Sequence, residues 1–155
     1  MLHIVLFQPE IPPNTGNVAR LCAGTGVQLH LIEPLGFVID DKHLKRAGLD
    51  YWPHVDWKVW PSLPAYLEAD GAGRRLVCTS ARGGEPVHRF SFSLQDSLVF
   101  GPESSGLPPE VLELAAHRVR IPTRNCIRSL NLSTSAGIVL YFALAGAGAL
   151  EEWEI

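Results

Sequence analysis

Short apolar runs alternate along the chain with stretches that repeat at helical spacing. LHIVLF, residues 2–7, is a continuous apolar run of the kind that fills a buried parallel strand. Residues 28–33 alternate apolar and polar, and residues 55–60, 75–80, 97–101 and 117–122 complete six expected strands. After the first run comes the proline-bounded QPEIPPN, expected to be loop, which delivers the chain to Asn14 or Thr15 as an N-cap. TGNVARLCAGTG then places Val18, Leu21, Cys22 and Thr25 at helical spacing, with Gly24 and Gly26 to end it. Asp40 or Asp41 is expected to cap a short helix, DDKHLKRAG, stopped at Gly48. Ser62 opens SLPAYLEAD, and PPEVLELAA begins with its prolines in the first turn, where they are tolerated.

The last helix differs from the others. It opens near Ser129 or Asn131, and its apolar residues hardly stop. Leu132, Ala136, Val139, Leu140, Ala143, Leu144 and Ala147 make one stripe, while Ile138, Tyr141, Phe142 and Ala145 fill the other side. Such a helix is expected to be buried on both faces, in the core or against a second subunit.

Strands alternating with helices predict an α/β fold, a mostly parallel sheet flanked by helices, as one domain over residues 1–155. In such sheets ligands collect beyond the carboxyl ends of strands. Polar loops do follow strands, at residues 8–15, 79–86, 101–108 and 122–130, the middle two bearing glycine.

Composition narrows the function classes. Apolar residues at 46% and charged residues at 19% are those of an ordinary globular protein. The first apolar run is short and lacks a basic leader, and the terminal helix is interrupted by Ser, Thr and Gly. A soluble, cytoplasmic protein is expected. Cys22, Cys78 and Cys126 are too scattered for a disulfide frame or a zinc site, and no metal is expected. The net charge of −3 argues against a nucleic-acid partner on average, yet it conceals clusters. Arg118, Arg120, Arg124 and Arg128 fall within eleven positions. Lys42, His43, Lys45 and Arg46 form a second group, and Arg82, His88 and Arg89 a weaker third. Guanidinium forks suit phosphate oxygens, so an anionic partner gains weight.

Several enzyme signatures are missing. There is no G-x-G-x-x-G after a strand, no G-x-x-x-x-G-K-[ST], no H-E-x-x-H and no G-x-S-x-G. Three stretches remain. NTGNVAR, residues 14–20, sets Arg20 inside an apolar-patterned helix, where a partly buried guanidinium needs an anion. That anion could be a local carboxylate or Glu103 across a site. FGPESSGLPPE, residues 100–110, runs from a strand into a tight turn. The third holds Arg124 and Arg128 ahead of Ser129 and Asn131, either of which could simply cap the helix.

Together, N-x-G-N-x-x-R, F-G-P-E-x-x-G-L-P and I-P-x(n)-S-L-N-x-S resemble the three motifs of the SpoU branch of SPOUT RNA 2′-O-ribose methyltransferases. The opening MLHIVLFQPEIPPNTGNVARLCAGTG and the segment RAGLDYW are similar to the TrmL (YibK-like) group, and the resemblance covers almost the whole chain. It implies a SPOUT fold with a C-terminal deep trefoil knot. It also implies S-adenosyl-L-methionine as cofactor, on the loops at Cys78, Thr79, Gly101, Ile121, Ser129 and Leu130. Asn14, Arg20, Glu103, Ser129 and Asn131 match the family's active-site positions.

The implied reaction is transfer of a methyl group to the ribose 2′-hydroxyl of the tRNA wobble nucleotide, a cytidine or modified uridine, with leucine tRNAs expected. Arg20, Lys42, Lys45, Arg46, Arg128 and Tyr141 are the expected RNA contacts. An arginine is a poor base, so Arg20 is read as an electrostatic stabiliser and positioner. A homodimer through the terminal helix is implied, with the anticodon stem-loop lying across both subunits. Two readings stand beside this one: a 2′-O-methyltransferase for another tRNA or rRNA position, and a non-catalytic RNA-binding or assembly factor on the same scaffold.

Overall fold

In the computed structural model, residues 1–39 and 52–153 are described. The expected short helix that stops at Gly48, and the side chains of Lys42, Lys45 and Arg46, lie outside the described residues. Seven strands form one sheet among the described residues: β1 (His3–Phe7), β2 (Gln28–Ile32), β3 (Trp57–Trp60), β4 (Arg75–Thr79), β5 (Glu85–Pro86), β6 (Asp96–Phe100) and β7 (His117–Arg120). Their order is β3-β2-β1-β6-β4-β7-β5, and every pairing is parallel. The helices are α1 (Pro12–Thr25), α2 (Leu63–Glu68), α3 (Pro109–Leu114) and α4 (Leu132–Gly146).

The six expected strands are all present, within a residue or two of their expected ends at most positions. The seventh, β5, was expected to be loop. Two residues carry no period-2 pattern, and a proline fits a sheet only at an edge, which is where Pro86 lies. Its register against β7 pairs Glu85 with Val119 and Pro86 with Arg120.

The apolar run of β1 is buried because helices cover both faces of the sheet. Leu2, Ile4 and Leu6 point into a core shared with α1 and α4, where Val18, Cys22, Ala136, Val139, Leu140 and Leu144 meet them. Val5 points the other way, to Leu63 and Tyr66 of α2 and Val111 of α3. Burial pushes the Cys22 thiol up to about 12, so it behaves as a small apolar side chain.

Helix α1 begins earlier than its polar residues suggest. Pro12 and Pro13 occupy its first turn and Ile11 is the N-cap, so neither Asn14 nor Thr15 caps it. Proline suits that position because its fixed φ is helical and its missing N–H is not needed there. Gly26 takes the left-handed conformation that closes the helix. At α4 the cap is Asn131 and not Ser129: its Oδ1 accepts from the amides of Ser133 at 2.9 Å and Thr134 at 3.3 Å.

The double burial expected for α4 is half met within one chain. Leu132, Ala136, Val139, Leu140, Ala143 and Leu144 are buried, but Tyr141 and Phe142 are 45% and 43% exposed and Ala145 is exposed. No helix among the described residues is long and apolar enough to cross a membrane.

Candidate functional site

Strand β1 leads to α1 on one face of the sheet, whereas its neighbour β6 leads to α3 on the other. Connections that leave two adjacent strands in opposite directions open a crevice beyond their carboxyl ends. A cleft of about 780 Å³ lies there. It extends along the ends of β4 and β7 and is bounded by four loops, at residues 79–82, 100–107, 121–132 and the entry to α1.

The loop after β6 can fold back tightly because residue 101 is glycine. A Cβ there would stand 2.3 Å from the Leu107 amide nitrogen and 2.5 Å from the Gly106 carbonyl carbon, so any other residue would unfold the turn. The turn closes through the Gly106 amide, which donates to the Pro102 carbonyl at 2.9 Å.

Four of the five candidate catalytic residues line the cleft: Asn14, Glu103, Ser129 and Asn131. Asn14 is buried, and its Oδ1 accepts a hydrogen bond of 3.0 Å from Asn131 Nδ2. One bond therefore ties the first turn of α1 to the cap of α4 across 117 positions of sequence. Asn131 uses its oxygen for its own helix and its amide nitrogen for Asn14, so both ends of the side chain are committed. Capping and site-building are the same act here.

Arg20 is placed differently from expectation. It is exposed on α1 and is not among the residues lining the cleft. Six residues beyond Asn14, it stands about 9 Å further along the helix axis at 1.5 Å per residue. Val18 and Ala19 are buried on the apolar face of the helix, and Arg20 is on the exposed one. Glu103 is engaged elsewhere. Its Oε1 accepts from the Glu10 amide at 3.1 Å, and its Oε2 accepts from the amides of Glu10 at 3.2 Å and Ile11 at 2.5 Å. Ile11 has no side chain to cap α1, so the carboxylate of Glu103 serves that helix from another loop, where the helix dipole favours an anion.

Of the expected cofactor contacts, Thr79, Gly101, Ile121, Ser129 and Leu130 line the cleft. Cys78 does not. Its side chain is fully buried in the core on the α2 and α3 side, with its thiol 4.0 Å from the Val111 carbonyl, and burial pushes it up to about 11. Of the expected RNA contacts, Arg128 lines the cleft and Tyr141 is exposed on α4 away from it. Trp52, the one described residue of RAGLDYW, packs at a tilt against Trp57 with ring centroids 4.7 Å apart.

Arg82, Ser135 and Glu10 were not among the expected site residues. Arg82 and Ser135 line the cleft, and the Ser80 hydroxyl accepts the Arg82 amide at 3.2 Å to shape that turn. The weak third basic cluster was the available signal for Arg82. Glu10 accepts from the Ser104 amide at 2.9 Å and hydroxyl at 2.6 Å, and these bonds hold its carboxyl below the usual range. Among the described residues no group of His, Cys, Asp and Glu could hold a metal ion.

Residues 1–141 match the model of the SpoU rRNA Methylase family. The chain is 50% identical to a tRNA (cytidine(34)-2'-O)-methyltransferase of Aeromonas hydrophila, over 98% of this chain and 100% of that one. It superposes with a TM-score of 0.88 and 51% identity on a structure described as giving insights into the 2-OH methylation of C/U34 on tRNA, covering 94% and 95% of the two chains. A third match, at TM-score 0.80 and 26% identity over 94% of this chain and 57% of the other, is the SpoU methyltransferase AviRb from Streptomyces viridochromogenes in complex with AdoMet.

Proposed function

The chain belongs to the SpoU rRNA methylase family, and we propose that it methylates the ribose 2′-hydroxyl of the wobble nucleotide, position 34, of tRNA. The methyl donor is S-adenosyl-L-methionine. The observation that carries this reading is the convergence of Asn14, Glu103, Ser129 and Asn131 on one switch-point cleft, in a chain half identical over its length to enzymes of that name.

The cleft suits the donor. Its volume is that of a site for a drug-sized molecule, and its walls are turns that expose backbone polar groups, the means of binding a nucleoside without a phosphate loop. Thr79, Gly101, Ile121, Ser129 and Leu130 would hold it. When bound, S-adenosyl-L-methionine supplies a methyl group activated by a sulfonium. The protein's own contribution is alignment. Asn131 and Asn14 fix α1 against α4, and the loop at residues 101–107 is held to the start of α1 by Glu103. Holding two reactants in line removes much of the entropic barrier to a displacement.

Arg20 and Arg128 are proposed to hold phosphates of the RNA on either side of the reacting ribose. A guanidinium stays charged at any physiological pH and cannot act as a base, but it lowers the cost of a developing alkoxide. Its exposed position on α1 suits a macromolecular substrate that overhangs the cleft.

The chain is further proposed to act as one catalytic domain and as a homodimer through α4. Tyr141, Phe142 and Ala145 give that helix an exposed apolar face next to its buried one, and a second copy would cover it. The trefoil knot belongs to the same proposal. What supports it is the likeness to SpoU methyltransferase structures, together with β7 lying between β4 and β5 in the sheet.

The test is transfer by the purified protein from labelled S-adenosyl-L-methionine to unmodified leucine tRNA transcripts, with the site read by nuclease digestion and mass spectrometry. Methylation of the ribose at position 34 supports the reading. Methylation at another tRNA position, or of rRNA only, replaces it with the second enzyme reading. Binding of RNA without any transfer leaves the non-catalytic one.

A further inference from the structure

The two loops that flank the switch-point crevice between β1 and β6 are bridged by two carboxylates that cross. Glu10, from the loop before α1, reaches the Ser104 amide and hydroxyl in the loop after β6. Glu103, from that second loop, reaches back to the amides of Glu10 and Ile11. Each loop thus contributes one acceptor side chain and at least one donor amide, and five hydrogen bonds join residues 92 to 94 positions apart.

The first loop is also anchored on its other side. It carries Gln8 at a φ of 50°, a strained value for a residue with a side chain, and its other anchors are the Gln8 amide on the Ile32 carbonyl and the Gly36 amide on the Pro9 carbonyl. Both of those tie it to the end of β2, away from the cleft. Among the described residues, the Glu10 and Glu103 bonds tie it towards the loop at residues 101–107, whose Gly101 is an expected cofactor contact. Asn14 follows four residues after Glu10 and inherits whatever position the loop sets.

We propose that Glu10 is a positioning residue for methyl transfer. By holding Ser104 it keeps Glu103 on the start of α1, and so keeps Asn14 and the rest of α1 in register with the loop at residues 101–107 that bounds the cleft. This rests on the methyl-transfer reading above. Glu10 touches neither reactant in this account. Its carboxylate is exposed, but both protein donors within reach are those of Ser104.

The test compares Glu10→Ala, Glu10→Gln, Ser104→Ala and the Glu10→Ala/Ser104→Ala double variant. Glu10→Gln keeps an acceptor oxygen for both Ser104 donors and should work within about twofold of wild type. Glu10→Ala should lower kcat roughly tenfold while changing KM for tRNA and for S-adenosyl-L-methionine by less than about threefold, the mark of lost alignment. Ser104→Ala keeps the backbone donor and should fall between, and the double variant should be no worse than Glu10→Ala, because the two residues act as a unit.

Amide hydrogen exchange gives a readout that needs no turnover. In Glu10→Ala the amides of Ser104, Glu10 and Ile11 should all exchange faster, and in Glu10→Gln none should. An additive double variant, or a Glu10→Gln as poor as Glu10→Ala, would mean that the charge meets substrate directly and would overturn the proposal. Unchanged exchange at Glu10 and Ile11 in Glu10→Ala would overturn it as well, since Glu103 would then be holding α1 without help. If wild type transfers no methyl group to any RNA, the functional reading falls, and exchange still decides whether Glu10 holds Glu103.

Discussion

At the carboxyl ends of the strands, the side chains that matter, buried Asn14 apart, are half-buried or exposed and bind mostly to backbone: Glu103 to the amides of Glu10 and Ile11, Glu10 to Ser104, Asn131 to the first turn of α4. At the amino ends, polar side chains are buried and satisfied by one another. His3 Nδ1 is 2.9 Å from the Tyr66 hydroxyl, which is 2.7 Å from Ser97 Oγ, which accepts from Arg74 Nε at 3.1 Å. Asp96, fully buried, takes a bidentate pair from Arg75 at 2.6 and 2.8 Å and the Ser93 amide at 2.8 Å. Nearby, Trp60 Nε1 donates to His30 Nδ1 at 3.0 Å, which fixes the neutral tautomer with its proton on Nε2, facing Gln28 Oε1 at 3.3 Å.

The difference separates stability from chemistry. A buried network whose members satisfy each other is costly to break and has no spare group to offer a ligand. A rim of turns held through backbone amides leaves side chains and carbonyls facing a cleft. Substitutions at the amino ends should therefore unfold the protein without changing what the folded fraction does, and substitutions at the cleft should do the reverse.

The largest effect is expected from Asp96→Ala. It leaves the Arg75 guanidinium and the Ser93 amide without their acceptor and should cost about 3–5 kcal/mol in denaturant unfolding. Turnover per folded molecule should be unchanged, and a loss of turnover at full folding would blur the division. Next is Arg20→Ala, expected to lower tRNA methylation by roughly 100-fold, equivalent to about 2.7 kcal/mol of transition-state stabilisation. The melting temperature and the affinity for S-adenosyl-L-methionine should hardly move, and a large loss of cofactor affinity would count against its placement outside the cleft. Tyr66→Phe removes one hydroxyl shared by His3 and Ser97 and should destabilise by about 1–3 kcal/mol, again with turnover intact.

The last prediction concerns pH dependence. Burial, followed by the nearby Arg74 charge, lowers His3 to about 3, and burial lowers His30 to about 4, against 6.5 in the unfolded chain. The folded protein therefore keeps both rings neutral where the unfolded chain takes up protons. Stability from these two groups is complete above pH 6.5 and is lost as pH falls from 6.5 towards 4 and then 3. Unfolding free energies measured from pH 7 to pH 4 should decline, and the slope should flatten in a His3→Gln/His30→Gln pair.

Much of this was legible in the order of residues. Strand β1, the stop at Gly26, the Ser62 cap and the convergence of loops on one end of the sheet follow from local pattern, because each depends on neighbours within a few positions. Asn14, Glu103, Ser129 and Asn131 were legible as a set only through the resemblance of their motifs, and the cleft then brings them together. The start of α1 was misplaced because Asn14 is a better cap than Ile11 by residue type. The acceptor that serves the helix comes from Glu103, 92 positions beyond Ile11, and no local rule can see it. The exposure of Arg20 was missed because an apolar stripe says which residues turn inward and leaves the facing of the others open. The partnership of Glu10 and Ser104, like that of Tyr66 and His3, joins side chains through space and has no periodic trace.

The central claim is that the cleft beyond β1, β6, β4 and β7 serves methylation of the wobble ribose, and nucleoside mass spectrometry of tRNA from cells with and without this gene tests it most directly. The account predicts that a 2′-O-methylated nucleoside at position 34 disappears without the gene and returns with the wild-type sequence, but not with Arg20→Ala. An unchanged set of 2′-O-methylated wobble nucleosides in cells lacking the gene would contradict it.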